Sequence, residues 1–171
     1  MHDTALCVSI RRFARSDLAA ALTLQSQIYP ALLVEDEPAF ASHLDVSIAY
    51  NLVASAGEEI AGYLLAHGGP RNAPPQLGKP LVAEAPAEIL LIHDLAVAPI
   101  HRGHRVGQRL VDHAFGLAAS DGLTFAELVA VSGAGSFWEA LGFADLATSP
   151  QIESKLGGYG PGARWMGRKI G

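Results

Sequence analysis

Residues 89–111 read ILLIHDLAVAPIHRGHRVGQRLV, and this stretch decides the fold. Its first part is an apolar run of the length expected for a buried strand. A short loop with two glycines follows, and from Val106 the pattern is that of an amphipathic helix reaching Ser120. Leu110, Val111, Ala114, Phe115 and Ala118 form its apolar stripe. A loop that opens straight into a helix leaves the first N–H groups unpaired and adds the positive end of the helix dipole. Together these suit a phosphate or pyrophosphate. Gly103 and Gly107 permit close backbone approach, and Arg102 and Arg105 flank the turn. By a plainer reading the glycines merely allow the chain to turn. Neither G-x-G-x-x-G nor G-K-S/T is present, so the loop is not a Rossmann or P-loop signature. His93 and Asp94 interrupt the apolar strand, and titratable groups beside an anion cradle point to chemistry on a phosphate-bearing cofactor.

Outward from this unit the chain alternates strands and helices. Ala5 to Phe13 reads as a first strand. Ser16 is a candidate N-cap for a helix over Asp17 to Tyr29, with Leu18, Leu22, Leu24 and Ile28 facing the core. A shorter helix begins near Glu37-Pro38, with proline in its first turn. Ser47 to Ala54 and Glu59 to His67 form a hairpin across Ala56-Gly57-Glu58. Gly68 to Pro86 holds five prolines and three glycines and reads as a long loop, a length usually tied to function. Beyond the central unit, Phe125 to Val131 is a strand and Gly135 to Leu141 a short helix. Phe143 to Leu146 begins another strand, Ser149 to Ala163 reads as irregular, and Arg164 to Ile170 is a last strand. This order implies a sheet covered by helices.

Composition sets the class. A chain of 171 residues, half of them hydrophobic, is long enough for one domain with a real core. A net charge of −5 argues against nucleic acid as a partner, since that affinity leans on a basic face. Cys7 is the only cysteine, so no internal disulfide or thiolate cluster forms, and no metal is expected. No apolar run approaches a membrane span, and Arg11, Arg12 and Arg15 break any leader-like stretch. The expectation is a cytoplasmic protein with no membrane partner; a homodimer stays open.

Two blocks carry a family resemblance. Leu95-Ala96-Val97-Ala98-Pro99 followed by Arg102-Gly103-His104-Arg105-Val106-Gly107 resembles the acetyl-CoA-binding motif of the GNAT acetyltransferase superfamily. Phe137-Trp138-Glu139-Ala140-Leu141-Gly142-Phe143 is similar to the family's Phe-Tyr-x-x-x-Gly-Phe segment, in the right order along the chain. The resemblance implies one N-acetyltransferase domain over residues 5–171. Its fold would be α/β, with a mixed, mostly antiparallel sheet of six to seven strands, flanked by helices and splayed at the central strand. It implies acetyl-CoA as cosubstrate, held by Leu95, Ala96 and Val97 along the strand and by Arg102, Gly103, His104, Arg105, Val106, Gly107 and Gln108 at the loop. Two residues depart from the pattern. Arg105 replaces the middle glycine of the loop motif, and Trp138 replaces a tyrosine that in many members protonates the leaving thiolate. An indole N–H is no useful acid.

The implied reaction is acetyl transfer to an amine. It requires a neutral amine, a polarised thioester carbonyl and a proton for the departing sulfur. His93 fits the first requirement through its pKa near 6.5. Asp94 is the alternative, directly or through water, and Glu88 ranks third. Strict alternation puts His93 and Asp94 on opposite faces, which a bulge of the family's kind would change. The N–H near Val97 fits the second requirement, and Tyr159, in a glycine-rich segment, is the substitute candidate for the third. Tyr29, Glu35 and Asp36 lie where the family shapes its acceptor pocket and suit a cationic amine. Equally, the acids there can simply complement a helix N-terminus. A small-molecule amine is the leading acceptor, a peptide or protein the alternative. A non-catalytic acyl-CoA-binding module is the reading from another class.

Overall fold

The computed structural model describes residues 7–82 and 86–171. The strands are β1 (Val8–Arg12), β2 (Leu52–Ala56), β3 (Glu59–Gly69), β4 (Ile89–Val97), β5 (Phe125–Ala130), β6 (Ala144–Asp145) and β7 (Arg164–Lys169). The helices are α1 (Leu18–Ile28), α2 (Glu37–Ser42), α3 (Val106–Ser120), α4 (Gly135–Ala140) and α5 (Pro150–Gly157). One mixed sheet runs in the order β1-β2-β3-β4-β5-β7-β6, antiparallel at every junction except β4 with β5. This is the helix-flanked α/β sheet expected from the sequence.

The two faces have separate cores. Leu90 and Ile92 of β4 pack with Leu110, Val111 and Ala114 of α3, as the helix stripe predicts. On the opposite face Val53, Tyr63 and Leu65 pack with Ala21 and Leu24 of α1 and Phe40 of α2. Further along that face Ile89, Leu91 and Trp165 meet Ile152 and Leu156 of α5.

Some sequence expectations shift. Ala5 and Leu6, assigned to the first strand, lie outside the described residues. The second strand starts at Leu52 instead of Ser47; before it only Ala49 bridges to β3, at His67. Asp17, not Ser16, organises the start of the first helix, accepting from the Ala14 N–H at 2.8 Å and pairing with Arg11 at 2.7 Å. The segment 149–163 is not irregular throughout. Ser149 caps α5 by accepting from the Ile152 N–H at 3.2 Å, and Pro150 takes the first helical position.

Two features of β4 position the site. Its register against β3 pairs Leu65 with Asp94 but Ala66 with Ile92, so His93 is an extra, bulged residue. Its parallel pairing with β5 covers only Leu90 to Ile92 and then stops. The sheet opens beyond that point.

Close packing on the other edge of β4 demands glycine. A Cβ added at Gly62 of β3 would stand 2.5 Å from the Ala96 carbonyl oxygen. Gly62→Ala should therefore lower stability by about 1–3 kcal/mol, the range for overpacking a fixed neighbour. Denaturant melts of the two proteins check this; equal midpoints would show that β3 and β4 part at no cost.

Candidate active site

The bulge sets the chemistry of β4. Leu91 shares a face with the α5 cluster, Ala96 with the α1 and α2 cluster, whereas Ile92, Leu95 and Val97 face α3. The surplus residue lets His93 and Asp94, adjacent in sequence, both turn to the α1/α2 side. His93 Nε2 meets Glu35 Oε1 at 2.5 Å, and Asp94 Oδ2 accepts the Tyr63 hydroxyl at 2.7 Å. Tyr29 donates to the Leu95 carbonyl at 2.6 Å. All but Tyr63 line one cavity of about 830 Å³ that continues along the open edge of β4 to the loop before α3.

Electrostatics follows from burial. Burial alone would push the His93 imidazolium toward deprotonation. The Glu35 hydrogen bond and charge, aided by Asp94, outweigh it, and the pKa is raised. Burial raises Asp94 as well, opposed by the Tyr63 hydrogen bond and the charge of His93. His43, at the end of α2, stacks on His93 with ring centres 4.2 Å apart. Burial, then repulsion from His93 and His67, lowers its pKa to about 2, so it stays neutral.

The backbone supplies the rest. The Ala98 N–H bonds the Ala61 carbonyl at 2.7 Å. Alternation along an antiparallel strand then turns the N–H groups of Leu95 and Val97 to the opposite edge, where β5 has diverged. At the loop, Gly103 has φ +83° and Arg105 φ +59°. Arg105 thus keeps the left-handed conformation that its glycine counterpart would favour, at a cost of order 1 kcal/mol. Among the described residues the N–H groups of Gly103 through Gln108 find no acceptor within the chain; the next, that of Arg109, bonds the Arg105 carbonyl at 3.0 Å. A cradle of free amides at one end and an open strand edge at the other fits a ligand with an anionic head and an extended amide-bearing arm. Trp138 sits in the cavity wall, edge-on to Phe137 and Phe143.

The family model for acetyltransferases (GNAT) matches residues 18–143. The chain belongs to the GNAT acetyltransferase family. Solved GNAT acetyltransferases share its fold. The ribosomal-protein-S18-alanine N-acetyltransferase of Escherichia coli is 16% identical, with a TM-score of 0.68 over 96% of this chain and 94% of that one. The PaiA N-acetyltransferase of Thermoplasma acidophilum, solved with coenzyme A, is 14% identical, with a TM-score of 0.68 over 95% and 99%. Arabidopsis thaliana Naa50, solved with the bisubstrate analogue CoA-Ac-MVNAL, is 14% identical, with a TM-score of 0.68 over 94% and 97%. No curated protein sequence matches the chain.

Within this GNAT domain the residues singled out by sequence fall into distinct places. His93, Asp94, Tyr29 and Tyr159 share the cavity with Leu95, Ala96 and Val97 and with the loop. Glu35 is 4% exposed and is bonded to His93 and to the Gly78 N–H at 3.0 Å, so it serves the histidine instead of offering an open carboxylate to an acceptor. Asp36 is the N-cap of α2, accepting from the Ala39 N–H at 2.9 Å; it is exposed and is not among the residues that line the cavity. The Tyr159 hydroxyl donates to the Pro75 carbonyl at 2.7 Å and is thereby committed to the long loop. Sequence reading missed His43 and Gln25. The Gln25 carboxamide clasps both backbone groups of Glu35, at 2.7 and 3.1 Å. Neither carries a local motif; only the fold brings them to the site.

Gly107 packs against the second sequence block, since a Cβ there would lie 3.2 Å from Phe137 Cζ. Gly107→Asp adds that contact and a negative charge beside the amide cradle. Isothermal titration should show coenzyme A affinity sharply reduced; unchanged affinity would move the anion site elsewhere.

Proposed function

We propose that the protein is an acetyl-CoA-dependent N-acetyltransferase acting on the amine of a small metabolite in the cytoplasm, with residues 5–171 forming one catalytic domain. The observation that carries this reading is His93. Glu35 holds one ring nitrogen of this residue, which lines the cavity reaching the open edge of β4, while Nδ1 is buried without a partner among the described residues. The arrangement follows the logic of a carboxylate that fixes the tautomer and orientation of a catalytic imidazole.

Each requirement of acetyl transfer has a group in place. The amides of Gly103 to Gln108, with Arg102 and Arg105 alongside, receive the pyrophosphate of the cosubstrate. The free edge from Leu95 to Val97 takes its amide-bearing arm as an added strand, and the Val97 N–H polarises the thioester oxygen. Asp94 lines the cavity where the amine enters. The amine reacts neutral, its ammonium proton lost to solvent, and His93 Nδ1 takes one N–H proton as nitrogen attacks the thioester carbon. The carbon–sulfur bond then breaks, leaving an amide and the CoA thiolate. With Trp138 in the tyrosine place and Tyr159 committed to Pro75, water is assigned as the proton source for the sulfur; Tyr159 fastens the loop.

The loop supports a small acceptor. It is tied over the acceptor side at Asn72 N–H to Glu127 Oε2, Pro75 carbonyl to Tyr159, Gly78 N–H to Glu35 Oε2 and Leu81 N–H to Ser42 Oγ, at 2.7–3.0 Å. A covered pocket admits a compact amine more readily than a chain lying across an open groove.

A coenzyme A-release assay across a panel of amines, each with acetyl-CoA, tests the reading; no release with any amine would favour a binding module. With an acceptor in hand, His93→Ala should lower turnover by roughly 10²–10⁴-fold while leaving coenzyme A affinity near normal. If it does not, and Asp94→Asn is inactive, Asp94 is the base. Glu35→Gln removes the charge that holds the His93 pKa up. Activity that rises with pH as His93 loses its proton should then have this limb displaced to lower pH, with a lower plateau from a weaker base. A limb that stays in place would separate Glu35 from proton transfer.

A further inference from the structure

Beside the polar wall of the cavity, Glu35 and His93 have a neighbour that acetyl transfer does not use. Glu35, His43 and His93 come from three separate parts of the chain, yet one potential ligand atom from each lies within 4.8 Å of the other two. His43 has no part in the proposed chemistry. It is 2% exposed, its carbonyl accepts from Asn51 Nδ2 at 2.8 Å, and its ring lies against His93 with the planes 29° apart. Among the described residues, Nδ1 of His43 and Nδ1 of His93 are both buried without a hydrogen-bond partner. Buried polar atoms are ordinarily satisfied, so two stacked imidazoles with unpaired nitrogens beside a carboxylate point to a ligand.

One carboxylate and two imidazoles are a donor set for zinc and neighbouring late first-row dications, not for magnesium or calcium, which require a shell of oxygens. We propose that Glu35, His43 and His93 form an inhibitory zinc site at the acceptor end of the cavity, with the fourth position open to the cavity. With bonds of about 2.0–2.2 Å, tetrahedral donors stand roughly 3.3–3.6 Å apart. The Glu35–His93 pair must therefore open slightly and the His43 ring must swing inward, both by side-chain rotation. As the cation takes Nε2, the proton held there toward Glu35 moves to Nδ1, so that His93 stays a neutral imidazole. A neutral imidazole has one ring lone pair. Once the cation takes it, none remains to accept the proton of an amine, and transfer stops. That last consequence rests on His93 being the base; binding of the cation does not.

Calorimetric titration of the intact protein with zinc, and absorption spectroscopy with cobalt(II) as a coloured substitute, test the site. The expected result is saturable binding of one cation per chain, a tetrahedral cobalt spectrum, and loss of acetyl transfer that a chelator restores. His43→Gln and His43→Phe should keep basal activity in chelator yet need at least about tenfold more zinc for half-saturation. Glu35→Gln should weaken zinc binding in calorimetry by a similar factor, which covers the case where both His43 variants fail to fold. No saturable binding, or binding unchanged in every folded variant, overturns the proposal. Binding that depends on His43 but leaves activity intact keeps the cation site and instead refutes His93 as the base.

Discussion

The ladder between β3 and β4 pairs Leu65 with Asp94 and Ala66 with Ile92, leaving His93 without an opposite number. Without the bulge the side-chain alternation of a regular strand would separate His93 from Asp94, one to each face. The same irregularity marks where β4 leaves β5, since their pairing ends at Ile92 with Leu128. A single extra residue thus accompanies three things at once. Two titratable groups share one face, the sheet has an opening, and a strand edge with free N–H groups runs from the opening toward the loop before α3. The cavity is where these meet.

Keeping His93 and Asp94 buried requires partners, and the fold draws them from both sides. Tyr63, on β3 opposite Ala96, gives its hydroxyl to the carboxylate. Glu35 arrives from the connection between α1 and α2, with its backbone clasped by Gln25, itself 1% exposed. A buried charge is tolerated where it is paired and hydrogen-bonded, and each carboxylate here has at least one such contact. The rigidity of these second contacts is what holds the imidazole in one orientation instead of leaving it to sample several.

The sequence made much of this legible because the strongest signals are local. The stripe on α3, the glycines of the loop and the aromatic block around Trp138 are all written within a few turns of chain, and the order of elements followed from them. The left-handed Arg105 shows the loop keeping its shape where the residue type departs from the pattern. What escaped was non-local. Nothing near Glu35 announces a partner 58 positions away, and His43 has no motif at all. Asp36 reads as a helix-terminus acid ahead of an acceptor contact, and the Ala39 N–H on it shows the first role. Helix α5 was hidden by the glycines after it, although Ser149-Pro150 is a sound helix start.

The long loop over the cavity is fastened to β5, to the segment after α5, to the residue before α2 that holds the histidine, and to α2 itself. Each tie contributes only about 0.5–1.5 kcal/mol, so no one of them closes the pocket. Spread over four elements, they hold the loop by several weak contacts instead of one strong one. Because the Gly78 N–H rests on the second oxygen of Glu35, lifting the cover also strips a donor from that carboxylate. Entry of solvent and the electrostatic state of His93 are in this way mechanically linked: the imidazole meets its full complement of neighbours only in the enclosed state.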